Sequence, residues 1–137
     1  MNTNLRAEDY NALVAFRYEM RKFLRFSKEV LATEAKLTWA QYEALLAVKT
    51  HPGSTGITVG ELSERLQVKH HTAVSLIDSL VMRKLVARQR ASDDRRWVNV
   101  KLTRLGSSVL ARLVAIHRRE IRRRSLDMID TLRRLQK

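Results

Sequence analysis

Residues 58–84 read TVGELSERLQVKHHTAVSLIDSLVMRK, and the spacing within them decides the fold. Thr58 and Glu61 stand three apart, as in a capping box: the Thr oxygen accepts from an orphan amide of the first helical turn and the Glu reaches back. This opens a short helix, Glu61 to Leu66, with Leu62 and Leu66 on one face. Three residues, Gln67-Val68-Lys69, separate it from a second helix that runs from about His70 to Lys84. There Ala73, Leu76, Ile77, Leu80 and Val81 share one face. His71, Thr72, Ser75, Asp78 and Ser79 are left largely on the other. A short helix, a three-residue turn and a second helix with a small, polar outer face make a helix-turn-helix candidate.

Toward the C-terminus, Val86–Ala91 and Trp97–Leu102 read as strands. In the second, Val98, Val100 and Leu102 alternate with Trp97, Asn99 and Lys101. The polar turn between them, Ser92-Asp93-Asp94-Arg95-Arg96, carries two arginines, so the pair is a β-hairpin, a wing on the helical unit. Thr103 is placed to cap a long helix with Val109, Leu110, Leu113, Val114, Ile116 and Ile121 on its apolar side. Ser125–Gln136 continues or restarts it. Toward the N-terminus, Thr38 and Gln41 form a second capping box, opening a helix that stops before Pro52. Pro52, Gly53, Gly56 and Gly60 cluster to mark one loop, His51–Gly56. From Glu8 to Ala35 a broad stripe, built on Leu13, Phe16, Met20, Phe23 and Val30, predicts a long first helix contacted on more than one side.

The chain has 137 residues, of which 45% are apolar, and a net charge of +13. An apolar content of this size builds a folded core, unlike a disordered polycation. The charge is uneven. Residues 1–70 hold 10 basic and 8 acidic residues, a net of +2, whereas residues 71–137 hold 17 and 6, a net of +11. Such a basic half attracts polyanions, nucleic acid above all. Cys is absent, which excludes disulfides, thiolate nucleophiles and Cys-based zinc sites. There is no Gly-rich phosphate loop, nucleophile-base pair or metal cluster in the sequence, so no enzyme, cofactor or metal is expected. No apolar run reaches the roughly 18–20 residues of a membrane span. The polar start, with Glu8 and Asp9, is not a signal peptide, and a cytoplasmic location is expected.

The order of elements resembles the MarR family of winged helix-turn-helix transcription regulators over roughly residues 37–121. The matching stretches are TVGELSERL (58–66), VKHHTAVSLIDSL (68–80), LVAR (85–88) and DRRWVNVKLTRLG (94–106). The last is the most specific: Asp94, Arg96, Leu102, Thr103 and Gly106 match the family's wing and the start of the helix after it. Three positions depart from the family pattern. Gln67 and Lys84 stand where Gly is usual, which puts a side chain at turns that favour Gly. Lys69 stands where a Ser often caps the recognition helix, weakening that cap by about 1 kcal/mol.

The resemblance implies a fold that is mostly α with a small β-hairpin wing. Residues 1–36 form an N-terminal dimerisation helix, residues 37–104 the winged DNA-binding domain, and residues 105–137 the C-terminal dimerisation helices. It also implies a homodimer on a pseudo-palindromic operator in double-stranded DNA, acting as a repressor. A sequence-tolerant architectural DNA binder is the alternative. The recognition helix would lie in the major groove, with His70, His71, Thr72 and Ser75 reaching base edges. For His70 and His71, plain surface positions or phosphate contacts remain the competing reading. Arg95 and Arg96 belong to the wing in the minor groove, with Asp94 orienting Arg96. Lys69, Arg88, Arg90 and Lys101 are candidate phosphate contacts.

The family typically responds to small aromatic or acidic molecules bound between the dimerisation helices and the winged domain. Candidate lining residues are Phe16, Met20, Trp39, Tyr42 and His117, which read equally as core aromatics. The run HRREIRRR (117–124) has two readings. It is a solvated helical face, or it is an anion site built on Arg118, Arg119, Arg122 and Arg123. In either case the repulsion of like charges calls for a counter-charge. A membrane-surface helix is the weaker alternative.

Overall fold

Thr58 Oγ1 accepts from the Glu61 N–H at 3.1 Å, and the Glu61 carboxylate accepts from the Thr58 N–H at 3.0 Å. The Thr38–Gln41 pair closes the same way, at 3.1 and 2.9 Å. Each box satisfies two amides that the helix itself cannot. The computed structural model describes residues 3–91 and 94–137; for residues 91 and 94–97 it describes the backbone alone. The elements in order are α1 (Ala7–Ala35), α2 (Trp39–Thr50), β1 (Ile57–Thr58), α3 (Val59–Leu66), α4 (His70–Met82), β2 (Val86–Ala91), β3 (Asp94–Leu102) and α5 (Arg104–Gln136). The region read as one continuing or restarting helix after Thr103 is a single helix of 33 residues.

The wing has a third strand that the sequence pattern did not reveal. β1 pairs antiparallel with β3, Ile57 opposite Val100 and Thr58 opposite Asn99, giving the order β1-β3-β2. Two residues are too few for a period to declare itself. The approach is close: a Cβ on Gly56, at φ +92°, would stand 2.7 Å from the Val100 carbonyl oxygen. β3 also starts earlier than Trp97, because Asp94 pairs with Ala91 across a register shift between Arg90 and Ala91.

The core lies where the strands, the helix-turn-helix and the two long helices meet. Leu31, Leu45, Ile57, Leu62, Ile77, Leu80, Val100 and Leu113 are fully buried there. The long helices pack antiparallel, tied by Arg134 on Glu8 at 2.9 Å and Ser27 on His117 at 2.8 Å. A second constraint joins the recognition helix, the wing and α5. Thr103 caps α5, its Oγ1 accepting from Gly106 N–H at 2.9 Å and donating to the Lys84 carbonyl at 2.7 Å. Gly106 lies so close to Leu85 that a Cβ there would fall 1.9 Å from its carbonyl oxygen. The Thr-x-x-Gly pattern is thus a contact between backbones.

The departures seen in the sequence have structural consequences. Gln67 and Lys84 both adopt the left-handed conformation, at φ 55° and 60°, which an L side chain adopts at a cost of roughly 1–2 kcal/mol. Lys69 caps α4 with no side-chain hydrogen bond. Two opposite results follow in chemical denaturation. Lys84→Gly raises the unfolding free energy by about 0.5–1 kcal/mol, the strain relieved less the entropy that Gly adds. Gly106→Ala lowers it by about 3 kcal/mol or more, since Leu85 must move.

Candidate nucleic-acid interface

Burial of Ala73, Ile77 and Leu80 against the core fixes the rotation of α4. His71, Ser75, Asp78 and Met82, at helical spacing, are left exposed in one stripe. His70 is also exposed, in the first turn. Of the four predicted base-reading residues, Thr72 stands apart: it is half-buried on the flank facing α2, in a small cleft with Trp39, Glu43, Arg65, Val68 and Leu76. Met82 is 85% exposed and continues the stripe beyond the residues singled out in the sequence.

Asp78 is the acidic member of this face, and a carboxylate there repels phosphate. It is ion-paired with Arg88 of β2. Arg88, predicted as a phosphate contact, is therefore engaged with the recognition helix, neutralising Asp78 and tying the wing to α4. The strand register separates the other basic candidates. Arg88 pairs across with Val100 and Arg90 with Val98, placing both on one face, whereas Lys101 pairs with Ala87 on the opposite face. Lys101 lines a hollow with Lys49, His51, Ser54 and Ser107 beside the 51–56 loop. Lys69 and Arg90 are exposed. The backbone of Asp94, Arg95 and Arg96 lies in β3; their side chains, and Asp93 altogether, lie outside the described residues.

The candidate effector residues are not brought to one cavity. The rings of Tyr42 and His117 stack at 4.8 Å, with Phe23 and Phe26 edge-on to His117. His117 Nδ1 donates to the Leu113 carbonyl at 2.7 Å, and the Ser27 hydroxyl meets Nε2 at 2.8 Å. Both ring nitrogens are satisfied within the core. Burial, with the neighbouring Glu43 adding to it, pushes the Tyr42 phenol above its ordinary value. Trp39, 54% exposed, instead lines a cavity of about 450 Å³ with Leu24, Lys28, Ala32, Leu37 and Thr38. Phe16 and Met20 are half-buried on α1, two turns and one turn before Leu24 respectively.

The arginine run separates in the same way. Arg123 donates to Glu120 at 2.6 Å, and Arg124 Nε lies 2.6 Å from the same carboxylate. Glu120 is thus the counter-charge that the sequence called for. Arg118, Arg119 and Arg122 are exposed, so of the four anion-site candidates only Arg123 is held by Glu120. Among the described residues there is no cluster of acidic or His side chains able to hold a metal, and no helix long and apolar enough to cross a membrane.

A helix-turn-helix with an exposed polar stripe, buttressed by an antiparallel wing and carried on two long helices, defines a winged helix-turn-helix fold. The sequence profile of the MarR family matches residues 35–96. Among solved structures, a mutant of MarR from E. coli is 26% identical over 98% of this chain and 96% of its own, with a TM-score of 0.68. MepR, a transcription regulator of the Staphylococcus aureus multidrug efflux pump MepA, is 21% identical over 78% of this chain and 76% of its own, with a TM-score of 0.71. A MepR mutant bound to an oligodeoxyribonucleotide is 23% identical, covering 82% and 79%, also with a TM-score of 0.71. No curated protein sequence matches the chain. Over residues 35–96 the chain is thus similar in sequence to the MarR family, and it shares the fold of the solved MarR structures.

Glu120 supplies a pH test. The hydrogen bond from Arg123 holds its carboxyl below the ordinary 4.5; burial opposes this, and the charges of Arg123 and Arg124 reinforce it. A lowered carboxylate pKa stabilises the fold above the unfolded value, and that stability is lost as pH falls through the folded value. Glu120→Gln is therefore expected to lower Tm at pH 7, with the gap to wild type closing as thermal melts are taken below pH 4.5. A gap that stays constant with pH would remove the ion pair from the account.

Proposed function

We propose that the protein is a homodimeric, sequence-specific repressor that acts in the cytoplasm on a pseudo-palindromic operator. The observation that carries this reading is the exposed stripe of α4. Its outward residues, His71 and Ser75, are small or able to donate and accept, and the one acid among them is neutralised by Arg88. A recognition helix of this kind enters the major groove, with His70, His71 and Ser75 at base edges and Thr72 on its inner flank. Lys69 and Arg90 hold phosphate, with Lys101 contributing from the other face of the wing. Arg96 enters the adjacent minor groove, oriented by Asp94, with Arg95 beside it.

Dimerisation is supported by apolar surface that one copy leaves uncovered. Leu13, Val14 and Leu24 on α1, and Ile121, Leu126, Ile129, Leu132 and Leu135 on α5, are all exposed. An apolar face of this extent is buried by pairing across a two-fold axis. On this reading residues 1–36 and 105–137 form the dimer and residues 37–104 the DNA reader. A small aromatic or acidic effector fits the cavity at Trp39: its wall is apolar apart from Thr38 and from Lys28, whose ammonium would meet an acid group, and it adjoins the start of α2. The MepR mutant bound to an oligodeoxyribonucleotide supports DNA as the ligand of this fold.

Selection from a random duplex pool is expected to recover an inverted repeat. At about 150 mM salt the recovered site should be bound at least about 10³-fold more tightly than random duplex. Arg96→Ala should then weaken operator binding by about 1–3 kcal/mol. A ratio near one would instead make the protein an architectural binder, and an unchanged affinity for Arg96→Ala would remove the wing from the interface.

A further inference from the structure

α1 ends in a Schellman motif at Lys36, whose φ is 51°. Leu37 N–H donates to the Leu31 carbonyl at 3.0 Å, and Lys36 N–H to Ala32 at 3.2 Å. The motif leaves the last carbonyls of a 29-residue helix without partners in α1, at the negative end of its dipole, and its last turn holds no basic residue of its own. Two guanidiniums from elsewhere fill the place. Arg83, at the C-cap of the recognition helix, donates from Nη1 to the Lys36 carbonyl at 2.8 Å and from Nη2 to the Ala35 carbonyl at 2.6 Å. Arg112 of α5 donates to the Glu34 carbonyl at 2.7 Å. One turn before Arg83, Ser79 Oγ accepts from Gln41 Nε2 at 3.1 Å, and Gln41 is the residue that completes the Thr38 capping box. Two side chains on one flank of α4 therefore hold both sides of the α1–α2 junction.

We infer that Arg83 is a positioning residue: it bolts the C-terminal end of the recognition helix to the end of α1 and so sets where the reading end of each helix lies in the dimer. This rests on the reading of the chain as a two-fold DNA reader. α4 has 13 residues, so it is about 20 Å long, and a tilt of about 5° at the bolted end moves its N-terminal turn by roughly 2 Å. The spacing between half-sites that the dimer accepts is thus written at Arg83, outside the reading stripe. A fork of two donors resists that tilt, where a single donor would allow it to swivel.

The test uses the full-length protein with three duplexes: the selected operator, the same operator with one base pair inserted between half-sites, and random sequence. The insertion moves the half-sites about 3.4 Å further apart and rotates them. Wild type is expected to bind the lengthened operator at least about tenfold more weakly than the native one. In Arg83→Met that ratio falls to about threefold or less, with random-duplex affinity unchanged; Arg83→Lys falls between. If Arg83→Met keeps the wild-type ratio, or weakens all three duplexes alike as a phosphate contact would, the inference is overturned. Should Arg83→Met lose its cooperative melt, Arg83→Lys and Ser79→Ala carry the test, and an unchanged ratio in both overturns it. A wild-type protein indifferent to the insertion would bring down the two-fold reading itself, and the inference with it.

Discussion

The Leu85 carbonyl leaves no room for a side chain at residue 106, and much of the molecule is organised around that contact. Lys84 and Leu85 link the recognition helix to β2; Thr103 and Gly106 link β3 to α5. The two links touch backbone to backbone, so the recognition helix, the wing and the long C-terminal helix leave from one joint. Interiors packed this closely transmit displacement. Where α5 goes, the reading elements go with it.

A winged helix-turn-helix carried on long helices is held rigid in more than one place. The Asp78–Arg88 pair ties wing to recognition helix and removes the one negative charge that would oppose phosphate on that face. The buried stack of Tyr42 on His117, hydrogen-bonded to Ser27, fixes α2 against both long helices. Arg83 and Arg112 close the end of α1. Apart from the Asp78–Arg88 pair, these ties lie away from the stripe, leaving His71 and Ser75 open to base edges.

The local chemistry of the fold was legible in the sequence because caps and periods act over three or four residues. Thr38 with Gln41, Thr58 with Glu61, and Thr103 all cap as their spacing predicts. Gln67 and Lys84 take the strained conformation that a family glycine would have eased. What stayed hidden depends on partners distant in sequence. β1 is two residues long and exists through its pairing with β3. Arg88 faces Asp78, and Lys101 lies on the opposite face of the wing, through a register that only the folded hairpin sets. Arg83 lies 47 residues from Lys36, and no periodicity announces such a contact. Trp39 is separated from Tyr42 by the rotation of α2, which buries Tyr42 against His117 of α5 and leaves Trp39 exposed.

On the proposed reading, two copies present their recognition helices one turn of duplex apart. The chain has no Cys, so Ser75→Cys gives a single spin label on the exposed face of each α4. Pulsed dipolar spectroscopy on the free protein is predicted to show one distance centred near 34 Å, the separation of successive major grooves on one side of the duplex. An absence of dipolar coupling at concentrations well above those used for binding, or a distance far from that spacing, would contradict the account.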